Sequence, residues 1–190
     1  MNRSIVWVIA WAWVTTAIHC TNRNDKAATI NTLRTTGDSV TLLAQRTLLS
    51  RLTAQIESNG FSGAVQYCSV QALPLLDSVK GAGKFTLQRI SEKYRNPADQ
   101  PEASDLPVLH YYAQTLAKTD TVVSSKKYYT YYKPIYVAMN TCLNCHGTPI
   151  TLDTAVKRLL HDRYPNDKAT GYVLNDFRGA WKMQFPKKDF

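Results

Sequence analysis

The sequence predicts an α+β fold: a long helix near the N-terminus, then an antiparallel sheet with short flanking helices. Three observations carry that expectation. Leu42, Leu49, Leu52 and Ile56 recur at spacings of seven, three and four, which places them on one helical face. Residues 84–91, KFTLQRIS, alternate in polarity as a half-buried strand does. Residues 128–137, YYTYYKPIYV, are dense in aromatic and β-branched side chains, which pack well on a pleated surface.

The elements follow in chain order. Residues 1–19 carry Arg3 and then an apolar run, IVWVIAWAWVTTAI, in the form of a secretory signal peptide. A membrane span needs about 20 apolar residues, more than this run supplies. The run ends in Ala17, Ile18, His19 and Cys20. A cysteine at that junction is where bacterial lipoproteins are cleaved and acylated, although a small residue is usual in place of His19. The leading expectation is a lipoprotein-type leader with Cys20 lipidated, which would anchor the chain to a membrane. Ordinary secretion and an uncleaved anchor are the alternatives. All three place the domain outside the cytoplasm, in the periplasm or on a membrane. Residues 20–37 are polar and read as a tether to a domain over 38–186.

The first helix should span 38–58, with Asp38 as its N-cap and Asn59-Gly60 as its stop. A second begins near Ser62. Its Ala64, Cys68, Ala72 and Leu76 are four apart and share a face. Pro74 is expected to kink or end it. Gly81 and Gly83 mark a turn before the strand at 84–91. The stretch 92–107, EKYRNPADQPEASDLP, carries three prolines and reads as a loop. A short helix is expected over 107–118. Residues 121–123 then pair with 128–137, a further helix covers 152–162, and strands at 171–174 and 179–185 close the sheet around a turn at Asn175 and Asp176.

At 190 residues, with 44% hydrophobic and 19% charged side chains, the chain is a folded domain and not a disordered one. Its net charge is +9 and its pI about 9.4. The basic residues come as scattered pairs, such as Lys126 with Lys127 and Lys187 with Lys188. A solvated surface is the expectation, and no nucleic-acid partner.

The strongest chemical signal is TCLNCHG at 141–147. Two thiols two residues apart, followed by an imidazole, serve covalent haem attachment: the thiols reach two vinyl groups and the histidine lies beneath the iron. Cys142 and Cys145 are then the haem thioethers and His146 the proximal iron ligand. Zinc would need a fourth ligand, and no second cysteine pair exists. Dithiol exchange is the more serious rival. That motif opens a long helix after an early strand, whereas this one lies late in the chain and precedes Gly147 and Pro149. One covalent haem c is expected, with propionates that offset part of the positive charge.

The iron's sixth position has five candidates: Met139, Met183, His110, His161 and Cys68. Composition and spacing alone leave Cys68 as a small core residue on the apolar face of its helix.

Several stretches together resemble one family: AVQYCS, RISEKYRNP, YYKPI, CLNCHG, YPNDKATGY and DFRG. It is the c-type haem redox-sensor domain first recognised in a cyanobacterial protein, which also forms the extracytoplasmic part of signalling proteins. The matches run in order from about residue 61 to 180. The resemblance implies a PAS-like fold and a six-coordinate haem, with His146 proximal and Cys68 distal. The chain departs from the family at Asp99, where asparagine is usual, and at Asn175, where glycine is favoured. Arg89, Tyr94, Arg95 and Asn96 are candidates for holding the propionates or bracing the loop over them. Loop salt bridges are the competing role. Tyr131, Tyr132 and Lys133 are candidates for lining the pocket, against a plain role in the sheet core.

The expectation is therefore an exported haem c protein that senses redox state or a diatomic gas, with no catalytic residues and no enzyme activity. It would report to a signalling or electron-transfer protein that the sequence does not identify. Electron transfer in the periplasm is the alternative, and an extracytoplasmic dithiol oxidoreductase the weaker one.

Overall fold

A computed structural model describes residues 15–190, with side chains from residue 25 onward. Most of the expected leader, and the side chain of Cys20, lie outside them. Helix α1 (Thr15–Lys80) is broken at Gly60, whose φ of 66° and ψ of −175° fall in a region that glycine alone enters readily. The chain folds back there. Ala44 and Leu76, equally far from Gly60 in sequence, meet over Trp181. The stop read at Asn59-Gly60 thus divides two antiparallel limbs.

Two expectations about α1 are corrected. The polar stretch 20–37 is helical, not a tether. Its Leu33 is 1% exposed and packs with Tyr131, Met183 and Phe185. That burial, worth about 1.5–3 kcal/mol for a leucine, outweighs a polar local sequence. Nor does Pro74 end the second limb, which stays helical to Lys80. Pro74 lies on the exposed side, where water can satisfy the carbonyl that it leaves unbonded, while Leu76 and Val79 hold the far end against Trp181.

Four strands, β1 (Thr86–Ile90), β2 (Thr121–Ser124), β3 (Tyr128–Tyr136) and β4 (Phe177–Pro186), form an antiparallel sheet in the order β1-β4-β3-β2. Alternation sorts their side chains. Trp181, Met183 and Phe185 share one face with Leu87 and Tyr131, under α1. Ile90, Ala180 and Tyr132 share the other, under Leu109 and Tyr112 of α2 (Leu106–Thr115). Lys182 is buried on that second face. Its Nζ lies 2.9 Å from both the Asp105 and the Glu102 carboxylates, and the Tyr132 hydroxyl donates to Asp105 at 2.7 Å. Pairing of this kind is what lets charge persist in a core.

The connection from β3 to β4 carries α3 (Asn140–His146) and α4 (Thr154–Arg163). Asp153 caps α4: its Oδ1 accepts the Ala155 and Val156 N–H groups at 2.8 and 3.3 Å. Val156 and Leu160 then pack on Val65 of the second limb of α1. The strand expected at 171–174 is absent. Those residues form a loop against α3, with the Tyr172 N–H donating to the His146 carbonyl at 2.9 Å and the Gly171 N–H to that of Gly147 at 2.8 Å. Among the described residues, no helix is long and apolar enough to cross a membrane.

A bulge interrupts the β3–β4 ladder beside Ile135 and Tyr136. Gly179 sits in it at a φ of 146°, and a Cβ there would lie 2.4 Å from the Ile90 carbonyl oxygen. Bulges re-aim side chains. Here the bulge turns Arg178 toward the cavity described next.

Candidate functional site

A cavity of about 240 Å³ lies between the two limbs of α1, the ends of β1, β3 and β4, and helix α3. Its apolar wall comes from Leu48, Leu49, Leu52 and Ile56 of the first limb and from Ala64 and Ala72 of the second. Leu49, Leu52 and Ile56 belong to the helical face read from the sequence, whereas Leu42 of that face is exposed and Leu48 was not among them. Cys68 opens into it from that same second-limb face. Cys142, Cys145 and His146 enter it from α3. The helix is short because Gly147 ends it at once, with its N–H on the Leu143 carbonyl at 2.8 Å. The three cysteines are unpaired and half-buried.

His146 is the best-fixed donor. Its Nδ1 lies 2.7 Å from the Ala169 carbonyl. A carbonyl only accepts, so Nδ1 carries the proton and Nε2 keeps a free lone pair. Burial holds the imidazole well below its ordinary pKa, and the nearby Arg178 and Arg95 guanidinium groups add to that. The ring is therefore neutral, the form that ligates metals. Tyr172 packs edge-on against it at 6.3 Å.

Ala169 is itself held. Asp167 Oδ1 accepts the Ala169 N–H at 2.8 Å, while its Oδ2 receives Arg95 Nε at 3.0 Å. Arg95 also donates to the Cys145 carbonyl at 2.6 Å. Arg95 thus braces the motif helix, the second of the roles considered for it. Asn96 lines the cavity too, but its Oδ1 is occupied by the Ala98 N–H, where it caps a short 3-10 turn at Pro97–Asp99.

Burial pushes the Cys68 thiol up, and the charges of Arg89 and Arg95 pull it partly back. Cys145 behaves in the same way, with Cys68 and Cys142 adding to the rise. Cys68 and both motif thiols line the same cavity. Even so, among the described residues no three His, Cys, Asp or Glu side chains gather tightly enough to enclose a bare ion. The donors are spread around a cavity and not focused on a point, which suits a cofactor with extent.

Arginines supply the polar end. Arg89 lines the cavity, and its buried Nε has no hydrogen-bond partner among the described residues. Arg178 joins it from the β4 bulge, with a donated bond to the Lys93 carbonyl at 3.2 Å and its guanidinium 5.3 Å from the Tyr172 ring. Arg178 escaped selection from sequence although it stands in the quoted DFRG stretch; the glycine after it marks the bulge that aims it. Tyr132 is a correction. It does not line the cavity but lies on the opposite sheet face, bonded to Asp105, because strand alternation sends it away from α1. Lys133 is on the α1 face, where it pairs with Asp38 outside the cavity. Of the other sixth-ligand candidates, Met183 is core, His110 pairs with Glu92, and Met139 is exposed.

Comparison with curated proteins finds no match. Among solved structures, the chain resembles the crystal structure of the cyanobacterial heme-protein Tll0287. The TM-score is 0.63 at 20% identity, covering 78% of this chain and 91% of that one. At that identity the likeness concerns the fold, which is PAS-like. The family model described as Tll0287-like matches residues 16–186, from the start of the long helix to the end of β4, and the chain accordingly belongs to the Tll0287-like family.

Proposed function

We propose that the chain binds one haem covalently through Cys142 and Cys145, with His146 as proximal and Cys68 as distal iron ligand, and that it senses redox state or a diatomic gas. The observation that carries this reading is the convergence of Cys68 with CLNCH on one cavity, although they lie on separate elements far apart in sequence. The residues present fit the group. Two thiols share a short helix, an imidazole offers Nε2, the walls are apolar, and a buried guanidinium nitrogen of Arg89 awaits an acceptor. The solved structure of similar fold is titled a heme-protein, which supports the same reading.

Haem, when bound, supplies a one-electron couple. The chain's own residues decide what that couple does. Ala169 and Asp167 orient His146 with Nε2 free, and burial keeps the ring neutral. Cys68 is different. Burial favours its protonated form, a poor ligand, so it holds a thiolate only opposite a sufficiently positive centre. Loss of that charge would free Cys68, and with it a restraint on the second limb of α1. Ligation that depends on oxidation state is what a sensor needs; a carrier is served by constant ligation.

Two measurements test this. A denaturing gel stained for haem must show a coloured band; a colourless one returns the motif to thiol exchange. Ferric and ferrous spectra with and without Cys68→Ala must differ in the ferric state. Identical ferric spectra remove Cys68 from the ligand set, and unchanged ligation on reduction points to electron carriage. Export belongs to the same reading, with Cys20 as lipid attachment site. Cys20→Ser should then shift the chain from the membrane to the soluble extracytoplasmic fraction.

A further inference from the structure

Asp99 is a buried carboxyl that neither the fold nor the proposed ligand set uses. It is 8% exposed and lines the cavity. Its backbone is fixed on both sides: its N–H donates to the Asn96 carbonyl at 2.9 Å, and its carbonyl accepts the Ser91 N–H at 3.0 Å. The side chain is held in place but poorly satisfied. Oδ2 lies 3.6 Å from the nearest Arg89 nitrogen, too far for a hydrogen bond, and the buried Oδ1 has no partner among the described residues.

The charged and titratable groups around it are few. Arg89 faces it from β1 and Arg178 from the β4 bulge. Tyr164 faces it from the end of α4. On its own loop, Arg95 is committed to Asp167 and the Cys145 carbonyl. None of these gives Oδ1 a donor. A buried carboxylate without hydrogen bonds is costly, and its neutral acid is far less so. Burial accordingly pushes the Asp99 carboxyl above the ordinary carboxylate range, and the two guanidinium groups pull it back only in part.

We infer that Asp99 is the site's proton acceptor: its Oδ1, set in the cavity wall beside Arg89 and Arg178, takes up a proton when the cavity takes up an electron. The inference rests on the haem site proposed above. The balance is simple. One electron arrives from a one-electron reductant, and one proton arrives from water and bonds to Oδ1. In this step the proton on Oδ1 offsets the charge of the electron, and the proton that a released Cys68 thiolate takes from water is a separate uptake that does not pass through Asp99. In a low-dielectric site an uncompensated charge is expensive, which links the two arrivals.

The test is a redox titration of the haem-loaded wild type and Asp99→Asn at a series of pH values. The wild-type midpoint should fall as pH rises, and Asp99→Asn should lessen that slope by up to about 59 mV per tenfold change in proton activity, the share of one proton per electron. Independently of the variant, infrared difference spectra of wild type with carboxyl-labelled aspartate should gain a protonated-acid band on reduction. A pH-independent midpoint overturns the inference, as does a slope unchanged in Asp99→Asn or the absence of a labelled acid band. Those results leave the haem site standing. A chain that takes no haem sinks both.

Discussion

The Ala169 carbonyl lies 2.7 Å from Nδ1 of His146, and through it a loop beyond α4 sets the tautomer of a residue on α3. Asp167 fixes that loop by taking the Ala169 N–H and the Arg95 side chain together. Asp167→Ala should therefore weaken the proximal bond without touching it. Groups that orient a metal-bound histidine are typically worth about 10–100-fold in metal affinity. Competition with added imidazole, followed in the ferric spectrum, would read the change, and an unchanged competition constant would count against this role.

Two glycines should respond differently to alanine. At Gly60 a Cβ meets nothing within 4 Å, so only the backbone is strained, at about 1–3 kcal/mol. At Gly179 the same backbone cost is joined by a Cβ 2.4 Å from the Ile90 carbonyl oxygen, a backbone atom that cannot turn aside. Urea midpoints should fall for both and further for Gly179→Ala. Because Gly60 sets the angle between the limbs, its variant should also blur the Cys68 contribution to the ferric spectrum.

The buried charges around Lys182 predict a large effect on stability and none on colour. Lys182→Met leaves Asp105 buried without its cation, a loss of about 3–5 kcal/mol. Tyr132→Phe removes one donor from the same carboxylate and should cost about 1–3 kcal/mol. Chemical denaturation measures both. Haem spectra that move with Tyr132→Phe would put that ring back in the pocket.

Asp38 gives the acid side of the stability curve a named contributor. The bond from Lys133 at 2.6 Å lowers its pKa below 3.8, against a desolvation that raises it, with help from the Tyr131 hydroxyl at 2.8 Å. A lowered carboxyl pKa contributes stability above the unfolded value that is lost as pH falls through the folded one. Lys133→Met should therefore flatten this part of the acid limb below pH 3.8. Asp38 is more than half exposed, so solvent screening holds the pair to about 1 kcal/mol or less. Thermal melts across acid pH compare the two chains.

Much of this was legible in the residues. Leu49, Leu52 and Ile56 of the first limb, Ala64, Cys68 and Ala72 of the four-residue series, and Cys142, Cys145 and His146 of the motif all line the cavity. Periodicity reports which side chains share a face. It does not report what covers that face, and the misses follow from this. Residues 20–37 look like a tether until Leu33 is seen under Phe185. GYVL looks like a strand until Tyr172 is seen bonded to His146. Tyr132 was placed one residue out of phase with the cavity, since alternation fixes two faces but not which of them holds the site. Arg178 needed the bulge, of which Gly179 is the one sign in the sequence, and it is read as such only once the β3–β4 register is known.

The strand order has a consequence for how the molecule is made. β4 is last in sequence and yet lies between β1 and β3, which never touch without it. It also brings Arg178 and Gly179 to the cavity. A chain threaded out from its N-terminus therefore cannot close the cavity until its final strand arrives. In that interval Cys142 and Cys145 have already emerged, while the cavity that they line lacks its β4 wall. On the haem site proposed above, that order would give the thiols a window for loading, and a chain shortened within β4 should leave it open permanently.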